Sequence, residues 1–169
     1  MPPTTTTPGR FFLALVALIT ATNGYLADMT STHIYNPRWP PHAKFHDGHT
    51  LSMGLLLGVS SLYYLFYRSS TFSVASSSPS SALSPRESSQ ELSSLWIAAW
   101  LDSLFWIAQL SAALYPGSLP VDPEFGKGFP QMYFCLALLG MVLVGTGLEH
   151  RRLLKREMEM QMGSRNKNE

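Results

Sequence analysis

The chain has 169 residues, 46% of them hydrophobic, and a formal net charge of +1. That length suits one domain, and the near-neutral balance, with no basic stripe interleaved with aromatics, excludes nucleic acid as the expected partner. The single cysteine, Cys135, excludes an intramolecular disulfide and a cysteine-built metal site.

The apolar residues are gathered, not dispersed. Blocks at 11–27, 51–67, 95–115 and 132–148 each approach the roughly 20 residues with which a helix crosses a hydrocarbon core of about 30 Å. Polar interruptions within them are single and small, as at Thr20, Ser60 and Ser111, where an amphipathic soluble helix would carry a polar stripe. The pattern predicts an all-α four-helix transmembrane bundle with spans at about 11–28, 42–67, 95–115 and 131–149.

Residues 1–10 form a short N-terminal tail in which Arg10 is the one basic side chain. The first block is expected to be retained as a span. It exceeds a signal-peptide core, and Tyr25 occupies the position where a cut after Ala27 would need a small residue.

The following segment holds four of the five histidines, at positions 33, 42, 46 and 49. Pro40 and Pro41 are barred from a helix interior but suit its first turn, so the second helix is expected to begin near Pro41. At about 1.5 Å per residue it projects a turn or two beyond the bilayer. His42, His46 and His49 are spaced i, i+4 and i+7, share one face, and are expected to be turned toward Asp28 at the end of the first span. Neutral imidazoles in that pattern suit acid–base catalysis near neutral pH. They also suit a zinc or iron ion, for which His42, His46 and His33 are the candidate ligands, with Asp28 or Asp47 as a carboxylate. The bland reading is an interfacial collar of His33, Tyr35, Trp39 and His42, apolar bodies with polar tips. No metalloprotease motif is complete, since Ala43 stands where a glutamate would follow His42.

Residues 69–94, half serine with Pro79 and Pro85, read as a flexible polar linker. Ser84 before Pro85 is a dipeptide that such a run yields by chance. In the third span Asp102 is an ionisable group at membrane depth, with Trp106 and Gln109 at i+4 and i+7. Such a group is a site candidate by default; Asn23 or Tyr25 are its expected partners, and a structural interhelical hydrogen bond is the alternative. Gly54, Gly58, Gly140, Gly145 and Gly147 are expected at close helix contacts. Glu149 and His150 read as a helix boundary, and residues 150–169 as a basic tail whose first part prolongs the fourth helix.

With both termini cytosolic, the cytosolic segments carry nine Lys and Arg against Arg38, Lys44 and Lys127 opposite. That is the sense of the positive-inside rule. Arg165 and Lys167, fifth and third from the end, resemble a dibasic endoplasmic reticulum retrieval signal. The expected localisation is that membrane, with the histidine segment lumenal.

At Asn36-Pro-Arg-Trp-Pro-Pro-His-Ala-Lys-Phe-His46, preceded by Ala27-Asp28 and Thr32-His33, the chain resembles an uncharacterised family of small four-span membrane proteins of fungi and bacteria. In that family the segment is the signature. The resemblance implies a common site containing Asp28, His33, Asn36, Trp39, His42 and His46. Members are sometimes labelled acetyltransferases, but no loop for acetyl coenzyme A is found in this sequence. The serine-rich stretch resembles an insertion of the fungal kind. Looser echoes of anthrone oxygenases, at Trp39, Phe45 and Gly48, and of sterol isomerase-like proteins, at Asp102, Trp96, Trp100 and Trp106, point to chemistry on an apolar substrate drawn from the bilayer.

Two functions are therefore expected. The first is a membrane enzyme of lipid or secondary metabolism, with His42, His46, His49 and Asp28 catalytic and with Trp39, Asn36, Asp102, Trp106 and Gln109 contacting an apolar substrate. The second is a non-catalytic protein that binds a lipid or steadies a partner enzyme in the membrane.

Overall fold

The computed structural model describes residues 6–67 and 85–166. Helix α1 spans Pro8–Asp28, α2 Pro41–Leu62, α3 Pro85–Ser111 and α4 Pro130–Arg165. A π-helical turn, Tyr63–Tyr67, extends α2, and a 3-10 turn, Ala112–Leu114, closes α3. Every one of the four helices opens on a proline, whose missing N–H is no loss in a first turn and whose φ is already helical. At α1 the start is completed by Thr7, whose Oγ1 accepts the Arg10 backbone N–H at 3.3 Å. No strand occurs among the described residues.

The stretches Pro8–Asp28, Pro41–Tyr67, Ser88–Leu114 and Pro130–Gly163 are each long and apolar enough to cross a membrane. The four apolar helices are those of a multi-pass membrane protein, as the hydropathy pattern predicts. One boundary is corrected. Residues 85–94, expected in the serine-rich linker, form the first turns of α3. Serine is tolerated there because Ser93 Oγ donates to the Ser89 carbonyl at 2.8 Å and Ser94 is buried against the bundle. The remainder of that stretch, 68–84 with Ser84, lies outside the described residues.

Consecutive helices pack side by side, α4 returns to α1, and α1 also reaches α3 across the diagonal. The connections 29–40 and 112–129 therefore share one end, here called the loop end. The start of α1 and the exit of α2 share the other, the terminal end. The inward stripe of α1 is Gly9, Leu13, Val16, Ala17, Thr20, Ala21 and Gly24, and that of α2 is Leu51, Gly54, Gly58 and Ser61. Both follow the helical period.

Helices in lipid gain little from hydrophobic burial and associate through close packing of small residues. The α1–α2 seam shows this: a Cβ on Gly58 would overlap the Ala17 carbonyl oxygen, and one on Gly54 would lie 2.9 Å from that of Thr20. The Gly54 to Gly58 pair thus serves internal packing. Gly145 likewise faces Gly9, whereas a Cβ on Gly140 or Gly147 would meet nothing within 4 Å, so the expected close contact at those two is corrected. The outer surface keeps large apolar side chains, among them Leu26, Trp100, Tyr133 and Leu143. That suits a hydrocarbon surround and would be an aggregation hazard in water.

Candidate functional site at the loop end of the bundle

The inward stripe of α2, continued backward from Leu51, passes through Asp47 rather than through the histidines. His42, His46 and His49 accordingly stand on the exposed flank of α2, and the expectation that they face Asp28 is corrected. The reason is register: Gly54 and Gly58 must face α1, and that choice rotates the histidines outward by helical geometry alone. His42 and His46 still meet each other. Their Nε2 atoms are 3.0 Å apart with the rings edge to face, so one Nε2–H donates to the other's lone pair. Phe45 flanks both rings.

His33 is the imidazole that joins Asp28. It sits in the turn after α1, with Nε2 3.8 Å from Asp28 Oδ1 and the pair only partly exposed. A chain of hydroxyls fixes its ring. Thr30 Oγ1 donates to the Ala27 carbonyl at 3.2 Å, so its oxygen is left to accept from Thr32 at 2.8 Å. Thr32 then has only lone pairs to offer His33 Nδ1 at 2.8 Å. The relay assigns the proton to Nδ1 and leaves Nε2, facing Asp28, as the basic nitrogen or as the partner of an ion pair. Trp39 packs edge-on to the same ring at 5.0 Å between centroids.

Asp47 completes this side: it lies within electrostatic reach of Asp28 and His33, and its Oδ2 is buried with no hydrogen-bond partner among the described residues. Asn36 is buried, and its Oδ1 accepts the Arg38 N–H at 2.9 Å, which holds the turn that carries Trp39. Arg38 in turn pairs with Glu124, tying the first connection to the second.

The structure therefore divides the predicted set in two. Asp28, His33 and Trp39 come together with Asp47 behind them, while His42 and His46 form a separate exposed pair and His49 joins neither. His33 does not converge with His42 and His46 as the candidate ligand set requires, and no group of three metal-ligating side chains occurs among the described residues.

The mid-membrane residues are also rearranged. Asp102 is fully buried, with no hydrogen-bond partner for either carboxyl oxygen among the described residues. It faces α2 at Ser61, not the expected Asn23 or Tyr25 of α1. Trp106 takes the α1 contact instead, its Nε1–H donating to Thr20 Oγ1 at 2.9 Å. Gln109 lines a crevice of about 110 Å³ under the second connection, away from Asp102.

At the terminal end the structure reveals a charged centre where the sequence suggests only a helix boundary. Glu149 is 1% exposed and accepts from Thr7 Oγ1, from Arg10 Nε at 3.0 Å, and from Arg152 Nη2 at 2.7 Å and Nε at 3.1 Å. Glu91 of α3 receives Arg10 and Arg156 at 3.8 and 3.5 Å. The signal available in the sequence was the acid three residues before Arg152, directly after an apolar run.

No curated protein and no solved structure is detectably similar to the chain. A family model matches residues 12–159, which reach into all four helices and include the loop-end residues described above. The chain belongs to that family, DUF6640, a family of unknown function.

Proposed function

We propose that the protein is a multi-pass membrane enzyme that moves protons on an apolar, lipid-like substrate at the loop end of its bundle. The observation that carries this reading is the tautomer relay, which presents His33 Nε2 toward Asp28 with Trp39 against the ring. A histidine oriented by hydroxyls and paired with a carboxylate is a general base that becomes an acid once loaded. The exposed His42–His46 pair, which already shares one proton, is suited to returning or exporting it. His49 extends that flank, and Trp39 with Asn36 shapes the entry. The same two imidazoles are the nitrogens from which a zinc or iron site would start. The charge bias of the connections supports cytosolic termini and a lumenal loop end.

The test is profiling of apolar metabolites and lipids in cells that express the wild-type chain, H33Q, D28N or the H42A/H46A pair, each at equal accumulation. H33Q is expected to abolish the product change caused by wild type, and D28N to reduce it at least tenfold. Profiles unchanged in all three variants would overturn the catalytic reading in favour of a lipid-binding or partner-stabilising protein. Zinc and iron measured in the purified chain, and lost in H42A/H46A, would replace proton exchange at that pair by metal binding.

A further inference from the structure

A groove of about 430 Å³ opens on the outer surface between α3 and α4, toward the terminal end and away from the site proposed above. One wall is made by Trp96 and Trp100, both more than half exposed. The other is a strip of α4 with a gradient of polarity: Val142 and Leu143 at mid-bundle, then Thr146 and Gly147, then His150 and Arg151.

Two residues that line this groove each carry a buried polar atom with nothing to bond among the described residues. Thr146 is 6% exposed, and neither its Oγ1 nor the buried Nδ1 of His150 has a hydrogen-bond partner among the described residues. A helical threonine ordinarily donates to the carbonyl four residues back, as Thr22 and Thr50 do here. Thr146 does not. The His150 ring is held edge-on to Trp96 at 5.7 Å between centroids, so its position is set by packing. Buried polar atoms left without partners cost stability, and at an open groove they mark where a ligand's polar group belongs.

The chemistry of that ligand follows from the donors. Thr146 Oγ1, His150 Nδ1 and the Arg151 guanidinium are all able to donate, and Arg151 adds a positive charge. Side chains on a helix lean toward its N-terminus, so His150 and Arg151 incline down the groove toward Thr146. Beyond Thr146 the lining turns apolar, and Gly147 leaves the floor open, with nothing within 4 Å of where a Cβ would be. A head that accepts hydrogen bonds and carries negative charge, attached to an apolar body, fits this order of residues.

We propose that the α3–α4 groove binds a single amphipathic lipid by an anionic phosphate or carboxylate head, held by Thr146, His150 and Arg151, with its apolar body against Trp100, Val142 and Leu143. The bound lipid fills the gap between the two helices and supplies the acceptors that Thr146 and His150 lack. Its site is independent of Asp28 and His33 at the opposite end.

The experiment uses the full chain in phosphatidylcholine nanodiscs doped with phosphatidic acid of the same acyl chains. Retained lipid is read by native mass spectrometry, and contact by quenching of tryptophan fluorescence with brominated phosphatidic acid. One saturable phosphatidic acid is expected, preferred about tenfold or more over phosphatidylcholine. R151Q is expected to remove that preference and T146V to weaken it severalfold. G147L, whose Cβ meets nothing within 4 Å and whose side chain fills the floor, is expected to abolish retention with an unchanged unfolding midpoint, and H33Q to leave it intact. Lysophosphatidic acid and palmitate as competitors identify the head as phosphate or carboxylate. Equal retention of both phospholipids would overturn the proposal. So would retention surviving G147L, or K155Q acting as strongly as R151Q, since either means unspecific attraction to basic residues. Competition by inorganic phosphate alone would overturn the lipid assignment.

Discussion

Arg10 Nε donates to Glu149 Oε1 at 3.0 Å, joining residues 139 positions apart and closing the ring of helices between its first and last members. Glu149 is the common acceptor for Thr7, Arg10 and Arg152. Such a carboxylate is stable out of water only while its donors remain, and the donors depend on it in turn.

Replacing Glu149 with Gln keeps the volume and removes the charge, so Arg10 and Arg152 lose their shared partner. Loss of one member of a buried charge network is expected to cost about 3 kcal/mol. E91Q, at a more accessible site, is expected to cost about 1 kcal/mol or less. Unfolding midpoints of the purified variants in detergent check this, and equal losses at the two positions would mean that burial of Glu149 is immaterial.

The α1–α2 seam makes a second comparison. A Cβ on Gly58 would overlap the Ala17 backbone, which cannot swing aside, so G58A is expected to destabilise by about 1–3 kcal/mol through forced separation of the helices. At Gly140 a Cβ meets nothing, and G140A is expected to be neutral or to stabilise by up to about 1 kcal/mol through helix propensity. Denaturant titration of the two variants decides the matter by sign.

Trp106 and Thr20 are expected to be coupled. T20V leaves the indole N–H buried and unpaired, at a cost of about 1–3 kcal/mol. W106F removes the donor, so adding T20V to W106F is expected to cost much less than T20V alone. A double-mutant cycle on unfolding free energy measures the difference, and simple additivity would mean that the 2.9 Å bond contributes nothing.

What the sequence could and could not tell follows from which forces act locally. The spans were legible because twenty apolar residues have one use, and the start of α2 because Pro41 has one comfortable place in a helix. Pro85 has the same preference for a first turn, but the serine-rich composition around it signals a linker, and packing of Ser94 against the bundle decides for the helix. Helical periodicity puts the i, i+4, i+7 histidines on one face, but which way that face turns is decided by Gly54 and Gly58 against α1, a contact between helices that periodicity does not contain. His33 was found by its neighbours, yet its hydroxyl relay depends on the fold of a turn. Glu149 reads as a boundary because two of its three donors, Thr7 and Arg10, lie at the other end of the chain.

Asp102 makes the sharpest test of whether the middle of the bundle is built for stability. Both carboxyl oxygens are buried, and the one hydroxyl among the described residues near enough to serve them, that of Ser61, is directed at the Ala98 carbonyl at 3.3 Å. A polar group in that condition is a net cost in an apolar interior, whichever protonation state it adopts. D102V removes the unpaired atoms for about one methyl group of added bulk, and is expected to raise stability by about 1–2 kcal/mol, with D102N close to neutral. A loss above about 2 kcal/mol in D102V would show that the carboxyl group is satisfied in the working protein. If stability rises while the product change driven by the wild type disappears, Asp102 is kept for function at the expense of the fold, which is the pattern that intramembrane ionisable residues follow.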